Sequence, residues 1–376
     1  MTKPKVLITN FHPGDGGGHT TYINRLLAAG LMDHFDLALA VPESSRLFTS
    51  ARQYKNVRVF PCNFPGSVRE LPAVLHAVRG LGEIFRAFPF QAIHCNGGRD
   101  HAIAVWWKGA SRNRVKIVRT HHAIRQLSND FYHRWFHHRL TDLHIYVAHA
   151  QRNINEAGNA LRCSASVVIA NGLDLAAYTP APKCDRILRE LGIQPDQMVF
   201  GSVGGVARHK RVDIMLRAVA GMAERERVVI VALGGEKGGR QLEELAGNLG
   251  VRHQFRYAGL HADVRPYISI FDVGFLLSNS IETASFAARE MMAMGVPLIC
   301  SGYSGLLEVV EEGRNGFIAA TDNVGEVVAG MRNFLQMRPG QLKQFGQAAR
   351  EKAVRCFGQE LMIQKTCTAY NQMIEG

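Results

Sequence analysis

No apolar run in this sequence approaches the roughly 20 residues that a membrane-spanning helix requires. The opening stretch carries Lys3 and Lys5 but only the short apolar run Val6 to Ile8, too little for a secretory signal. Cysteines are few and scattered: seven, at 62, 95, 163, 184, 300, 356 and 367, with no CxxC pair. An odd, dispersed set suits a reducing compartment and argues against a disulfide framework or a structural zinc site. Prolines number 13 in 376 residues and no segment is of low complexity, which speaks against a disordered scaffold. The 37 glycines follow no period and no heptads are sustained, so collagen-like and coiled-coil readings fail.

Acidic residues are scarce in one half only. Residues 1–180 hold 11 Asp and Glu against 21 Lys and Arg, whereas the remainder holds 21 against 23. Thirteen of the 16 histidines and all three tryptophans also lie in that basic half. The imbalance points to an anionic partner for the first half: a phosphorylated substrate, an anionic membrane surface or nucleic acid. What is present otherwise is ordinary, 47% hydrophobic and 20% charged over a length that suits two cores better than one.

Apolar runs alternate with amphipathic stretches throughout. Strands are expected near residues 5–9, 35–41, 57–61, 92–95, 116–119 and 144–148, and again near 198–203, 228–233, 254–257, 273–277 and 297–300. A helix is expected from about Thr20 to Ala29 after the loop Pro13 to Gly18, and residues 341–376 read as helix broken around Cys356 to Gly358. Strand–helix–strand repetition implies parallel sheets covered by helices. The expected architecture is α/β: two doubly wound Rossmann-like domains facing a central cleft. Their expected extents are 1–180 and 181–355, with 356–376 as a terminal segment.

The most informative segment runs from Ser278 to Pro297. A strand ends near Ser278, and a helix starts near Ser285 and stops at Gly295. Glu282 then stands in the loop and Glu290 in the second helical turn. The helix start, from Ser285 through Phe286, Ala287 and Ala288, offers backbone N–H groups to a diphosphate. Glu290 can accept hydrogen bonds from a ribose diol, and Glu282 can approach sugar hydroxyls or a positive anomeric carbon. The plainer alternative is a solvated loop glutamate and an ordinary helix residue. The segment Val203 to Asp213 adds Lys210, a compact cation for a leaving diphosphate, and Arg208, a two-pronged donor; a solvated basic turn is the alternative. Gly14, Gly16, Gly17 and Gly18 provide a backbone that a phosphate or substrate can approach closely, without completing GxGxxG. His121 and His122 end a strand. Zinc binding by His121, His122, His137 and His138 lacks a tetrahedral pattern.

The Ser278–Pro297 segment resembles the two-glutamate signature of retaining glycosyltransferases of family four. Further segments agree in order: Ile169 to Asp174, Ser304 to Val310, Asn315 to Phe317 and Phe357 to Tyr370. The resemblance implies a GT-B fold, with the last helix returning to the first domain. It implies that Glu282 approaches the donor sugar, Glu290 holds the ribose, Lys210 meets the diphosphate, and His122 and the Gly16–Gly18 loop face the substrates. Two departures stand out: Gly205 occupies the place of the family's arginine, with Arg208 as a candidate substitute, and Ala123 occupies the place of the aspartate after the histidine.

The implied activity is retaining transfer of a hexosyl unit from a nucleotide diphosphate sugar, a UDP-sugar, to a lipid-linked or oligosaccharide acceptor. Bacterial lipopolysaccharide or exopolysaccharide synthesis would be its setting. No metal or other cofactor is expected. Trp106 to Lys108, Arg112 to Lys116 and Phe131 to Arg139 combine aromatic and basic residues as a surface for an anionic membrane, and a cytoplasmic protein peripheral to the inner face of that membrane is expected. A noncatalytic nucleotide-sugar binding protein is the main alternative. Specific nucleic-acid binding lacks a recognition module, and a phosphorylase lacks a lysine motif for pyridoxal.

Overall fold

The computed structural model describes residues 2–66, 68–111, 113–123, 126–158 and 165–376, apart from the side chains at 68, 132 and 237. The chain forms two compact units, one of Met1–Gly172 with Gln359–Gly376 and one of Leu173–Gly358. The expected domain limits at 180 and 355 therefore move to Gly172 and Gly358.

The first unit holds seven parallel strands: β1 (Lys5–Thr9), β2 (Asp36–Val41), β3 (Val57–Pro61), β4 (Ala92–Cys95), β5 (Lys116–His121), β6 (Leu143–Tyr146) and β7 (Ser166–Val168). Their order is β3-β2-β1-β4-β5-β6-β7. Alternation of side chains along β1 explains why its whole run is apolar. Val6 and Ile8 join Tyr22, Ile23 and Leu26 of the Gly17–Ala28 helix on one face. Leu7 joins Leu81 of the Leu71–Ala87 helix and Ile103 of the Gly98–Ser111 helix on the other. The closing helix, Gln359–Glu375, adds Met362, Ile363 and Tyr370 to the first of these faces.

The second unit holds β8 (Met198–Ser202), β9 (Val228–Leu233), β10 (Phe255–Gly259), β11 (Val273–Leu276), β12 (Leu298–Ser301) and β13 (Gly316–Ala319), parallel and ordered β10-β9-β8-β11-β12-β13. The helices Val212–Ala220, Glu236–Asn248 and Val324–Leu335 cover one face. The Phe286–Ala293 helix packs with the Pro339–Phe357 helix. In each unit the strand order reverses once, between β1 and β4 and between β8 and β11. Ligands of open α/β sheets bind beyond the carboxyl ends of the strands at such a reversal.

Three local expectations change. The Gly17–Ala28 helix begins three residues before Thr20, so Gly17 and Gly18 are its first residues and Gly16 its N-cap. Strand β5 runs on to His121. The aromatic and basic segments are only partly exposed. Trp107 is 3% exposed and packs with Phe85 and Phe90, while Lys108 pairs with Asp142 at 2.9 Å. Phe136 is also buried, but Phe131 is 86% and Trp135 47% exposed. Arg112 lies outside the described residues. Among the described residues no helix is long and apolar enough to cross a membrane.

Candidate active site

At the β8–β11 reversal, two loops meet. The first leaves β8 through Gly204 and Gly205 and forms a 3-10 turn over Arg208–Lys210. The second leaves β11 and leads to Ser285, whose Oγ caps the Phe286–Ala293 helix by accepting the Ala288 N–H. A backbone bond from Asn279 N–H to the His209 carbonyl, 3.1 Å, ties the loops together. Across this junction Lys210 Nζ lies 2.5 Å from Glu282 Oε2. The same oxygen accepts the Ser278 hydroxyl at 3.0 Å, and the Ser278 carbonyl accepts the Ser301 hydroxyl at 2.6 Å. Glu282 is buried and Lys210 half-buried, so each charge is held chiefly by the other.

The two residues expected to serve the sugar and the diphosphate are thus one ion pair. Glu290 is half-buried in the second turn of the following helix. The Ala288 donor expected to face a phosphate is used by Ser285 instead. Gly305 sets the floor of this loop: a Cβ there would stand 1.7 Å from the Thr283 carbonyl oxygen, so only glycine lets the turn after β12 approach. Backbone strain gathers at the same edge. The described non-glycine residues with positive φ are Arg211, Ile281, Ser304 and Asp322, in the loops after β8, β11, β12 and β13. Ile281, at φ 56° and 77% exposed, directly precedes Glu282. A β-branched residue in that region costs on the order of 1–2 kcal/mol, and such strain concentrates at functional sites.

Arg208 is placed differently. It lines a cavity of about 980 Å³ together with Arg211, Asp213, Gln241, Asn279 and Asp322, and neither Lys210 nor Glu282 lines that cavity.

At the β1–β4 reversal of the first unit, the glycine loop and three strand ends come together. Gly14, Gly16 and Gly17 all adopt positive φ, at 65°, 65° and 51°. The rings of His12 and His19 lie 4.5 Å apart, those of His19 and His122 4.3 Å, and those of Tyr22 and His122 4.8 Å. His122 Nε2 meets Asn96 Oδ1 at 3.0 Å. Burial, and then the neighbouring His19, hold the His122 pKa well below the usual histidine value. His19 is lowered to about 3, mainly by burial. These rings are therefore neutral near pH 7.

His121 belongs to another group. It is buried, its Nε2 meets His144 Nδ1 at 3.0 Å, and its ring stacks on Tyr146. Strand alternation separates the two histidines, and it is His122 that stands beside the glycine loop. Among the described residues no three His, Cys, Asp or Glu side chains are placed to hold a metal ion. Asn96, Ser278 and Asp100 escaped the sequence reading. Asn96 was findable as a polar residue between a strand end and Gly97-Gly98; Ser278 and Asp100 gave no signal of their own.

One family model matches each half of the chain: "Glycosyltransferase Family 4" over residues 16–177 and "Glycosyl transferases group 1" over residues 184–352. Two glycosyltransferase family models thus match successive parts of the chain, and its fold matches the GT-B architecture. D-inositol 3-phosphate glycosyltransferase 2 of Catenulispora acidiphila is 30% identical over 217 residues, covering 54% of this chain and 50% of that protein. The D-inositol 3-phosphate glycosyltransferase of Thermobifida fusca is 31% identical over 159 residues, 39% of this chain and 36% of the relative. The matched region thus spans half or less of these relatives' length. HepE of Anabaena in complex with UDP shares the fold at a TM-score of 0.82 and 18% identity, over 98% of this chain and 100% of that one. The lipopolysaccharide outer core galactosyltransferase WaaB does so at 0.75 and 14%, over 98% and 99%.

For a GT-B chain the departure at Gly205 acquires a physical meaning. Residue 205 sits at φ 91°, a conformation that side-chain-bearing residues rarely adopt.

Proposed function

We propose that this protein transfers a hexosyl unit from a nucleotide diphosphate sugar, a UDP-sugar, to a lipid-linked or oligosaccharide acceptor with retention of configuration, in bacterial surface polysaccharide or lipopolysaccharide synthesis. The observation that carries the reading is the Lys210–Glu282 pair at the β8–β11 reversal, one loop ahead of the helix that bears Glu290. HepE has been crystallised with UDP and with UDP-glucose, and WaaB is named for lipopolysaccharide; both support the donor and acceptor classes by analogy of fold. In this reading the diphosphate draws Lys210 as a second anion, and Glu282 is left facing the sugar. Glu290 accepts the ribose hydroxyls. His122 and the Gly16–Gly18 segment of the first unit serve substrate hydroxyls. The bond from the anomeric carbon to the diphosphate breaks while the acceptor hydroxyl oxygen attacks from the same side, its proton passing to the departing diphosphate.

Lys210→Ala is expected to weaken UDP-glucose binding at least tenfold in calorimetry, since it removes the cation beside the diphosphate. Arg208→Ala, in the adjoining cavity that Lys210 and Glu282 do not line, is expected to change that affinity less than twofold. Equal losses in both variants would restore Arg208 as the substitute for the missing arginine; no loss in Lys210→Ala would remove Lys210 from the donor site. Gly205 favours a second reading, a noncatalytic nucleotide-sugar binding protein, which calls for binding of the donor without turnover.

Membrane association rests on the exposed Phe131 and Trp135 and on the basic residues of their helix, Phe131–Arg139. Vesicles of anionic lipid should sediment the protein more than neutral vesicles do, less so in high salt. A Phe131→Ser/Trp135→Ser double variant should lose most of that binding. Equal sedimentation with both vesicle types would set the membrane aside.

A further inference from the structure

We propose that Asn96, clamped by Thr9 and Asp100, is the positioning residue that locks His122 as its Nε2–H tautomer, so that ring atom Nδ1 is presented as a hydrogen-bond acceptor to a substrate hydroxyl. The role toward substrate rests on the glycosyltransferase reading; the tautomer does not.

Asn96 is fully buried just beyond β4, beside the β1–β4 reversal. Its backbone N–H donates to Asp100 Oδ2 at 2.8 Å, and the Thr9 hydroxyl donates to the same oxygen at 2.7 Å. Its side-chain Nδ2 donates to the Thr9 carbonyl at 3.1 Å. A carbonyl can only accept, so that end of the amide must be the NH₂ group and the amide cannot be flipped. Oδ1 is thereby turned to His122 Nε2, 3.0 Å away. An amide oxygen also only accepts, so Nε2 must carry the proton. In the neutral ring Nδ1 then holds a lone pair.

The family pattern places an aspartate directly after this histidine, and Ala123 stands there instead. The polar partner of Nε2 is a neutral amide from a neighbouring strand end, which adds no negative charge. Burial, and then the neighbouring His19, keep the ring neutral. His19 and His12 from the glycine-loop side, His94 from β4 and Arg119 from β5 itself all add positive charge or none around His122. Asp100, at the start of the Gly98–Ser111 helix, is the acid in this network, and Thr9 and Asn96 both donate to it.

The test is imidazole ¹⁵N NMR on histidine-labelled full-length protein without substrate, with His122 assigned by its loss in His122→Gln. The wild type should show the Nε2–H pattern for His122 and hold it from pH 5.5 to 8. Asn96→Ala should release the ring to mixed or Nδ1–H tautomers. Asn96→Asp should keep Nε2–H, since a carboxylate accepts the same bond, but bring a His122 titration into that pH range. In transfer assays Asn96→Ala should lower kcat about tenfold with little change in the donor KM, and Asn96→Asp should recover activity only at the alkaline end. An Nδ1–H tautomer in the wild type overturns the proposal, as does an unchanged ring in Asn96→Ala. If Asn96→Ala fails to fold, the wild-type tautomer and the Asn96→Asp titration decide. The spectra need no turnover, so absence of transferase activity would defeat the functional reading while leaving this result intact.

Discussion

Glu282→Gln is expected to slow sugar transfer by about a hundredfold or more, the usual cost of removing a preorganised group aimed at charge that develops in the transition state. Glutamine keeps the size of the side chain and can still accept the Ser278 hydroxyl, which lies 3.0 Å from the carboxylate. It lacks the negative charge that would face a positive anomeric carbon. Donor affinity should change little, because Lys210, once relieved of Glu282, still has the diphosphate to neutralise. Interactions made mainly in the transition state appear in kcat and not in ground-state binding. Single-turnover rates and calorimetry with UDP-glucose separate the two quantities. An unchanged rate would end the catalytic role of Glu282. A loss of donor binding at full chemical rate would assign it to sugar recognition.

The second large effect is acid sensitivity of the first unit. His94, His101, His121, His137 and His144 are buried there. Burial is the leading cause that lowers each of their pKa values, to about 3 for His94, about 2 for His137 and about 4 for His144, and well below the usual range for His101 and His121. Their unfolded counterparts take up protons near pH 6.5. Between that value and the folded pKa the unfolded chain binds more protons, so stability falls as the pH drops through this window. For His144 the difference is worth roughly 3 kcal/mol by pH 4. Asp100 acts in the opposite sense: burial raises its carboxyl to about 6, which favours the folded state on acidification. One carboxyl cannot offset five histidines. Urea unfolding at pH 7.5, 6.5, 5.5 and 4.5 should show a progressive fall in stability below pH 6.5, and His144→Asn should lessen the slope. A midpoint constant down to pH 4.5 would mean that these histidines are hydrated or already charged in the folded protein.

The strands that carry the site were legible because central parallel strands are apolar on both faces. The limits of β1, β3, β4 and β9 coincide with the apolar runs. The edge strands β7 and β13 were not legible: they span only three and four residues, and β13 begins at a glycine. The start of the Gly17–Ala28 helix was read too late because glycine disfavours helices, although the Gly16 N-cap, at φ 65°, needs that residue type. Trp107 is followed directly by Lys108, yet its ring packs in the core with Phe85 and Phe90. In the candidate site, Glu282, Lys210 and Glu290 were singled out by the resemblance, but the contact between Lys210 and Glu282 was not legible. The pairing of Lys210 with Glu282 joins residues 72 positions apart through a strand order that no local pattern encodes. The same holds for Asn96 and His122, which meet only because β4 and β5 are neighbours in the sheet.

The central claim is that this chain moves a sugar from a nucleotide donor. The most direct measurement incubates the purified full-length protein with UDP-glucose and other nucleotide sugars, each against a set of lipid-linked and oligosaccharide acceptors, and determines product and anomeric configuration by NMR. The account predicts release of the nucleotide diphosphate with an equal amount of glycosylated acceptor, the new linkage keeping the donor's configuration. Donor binding without any product across the set, or a product of inverted configuration, would contradict it.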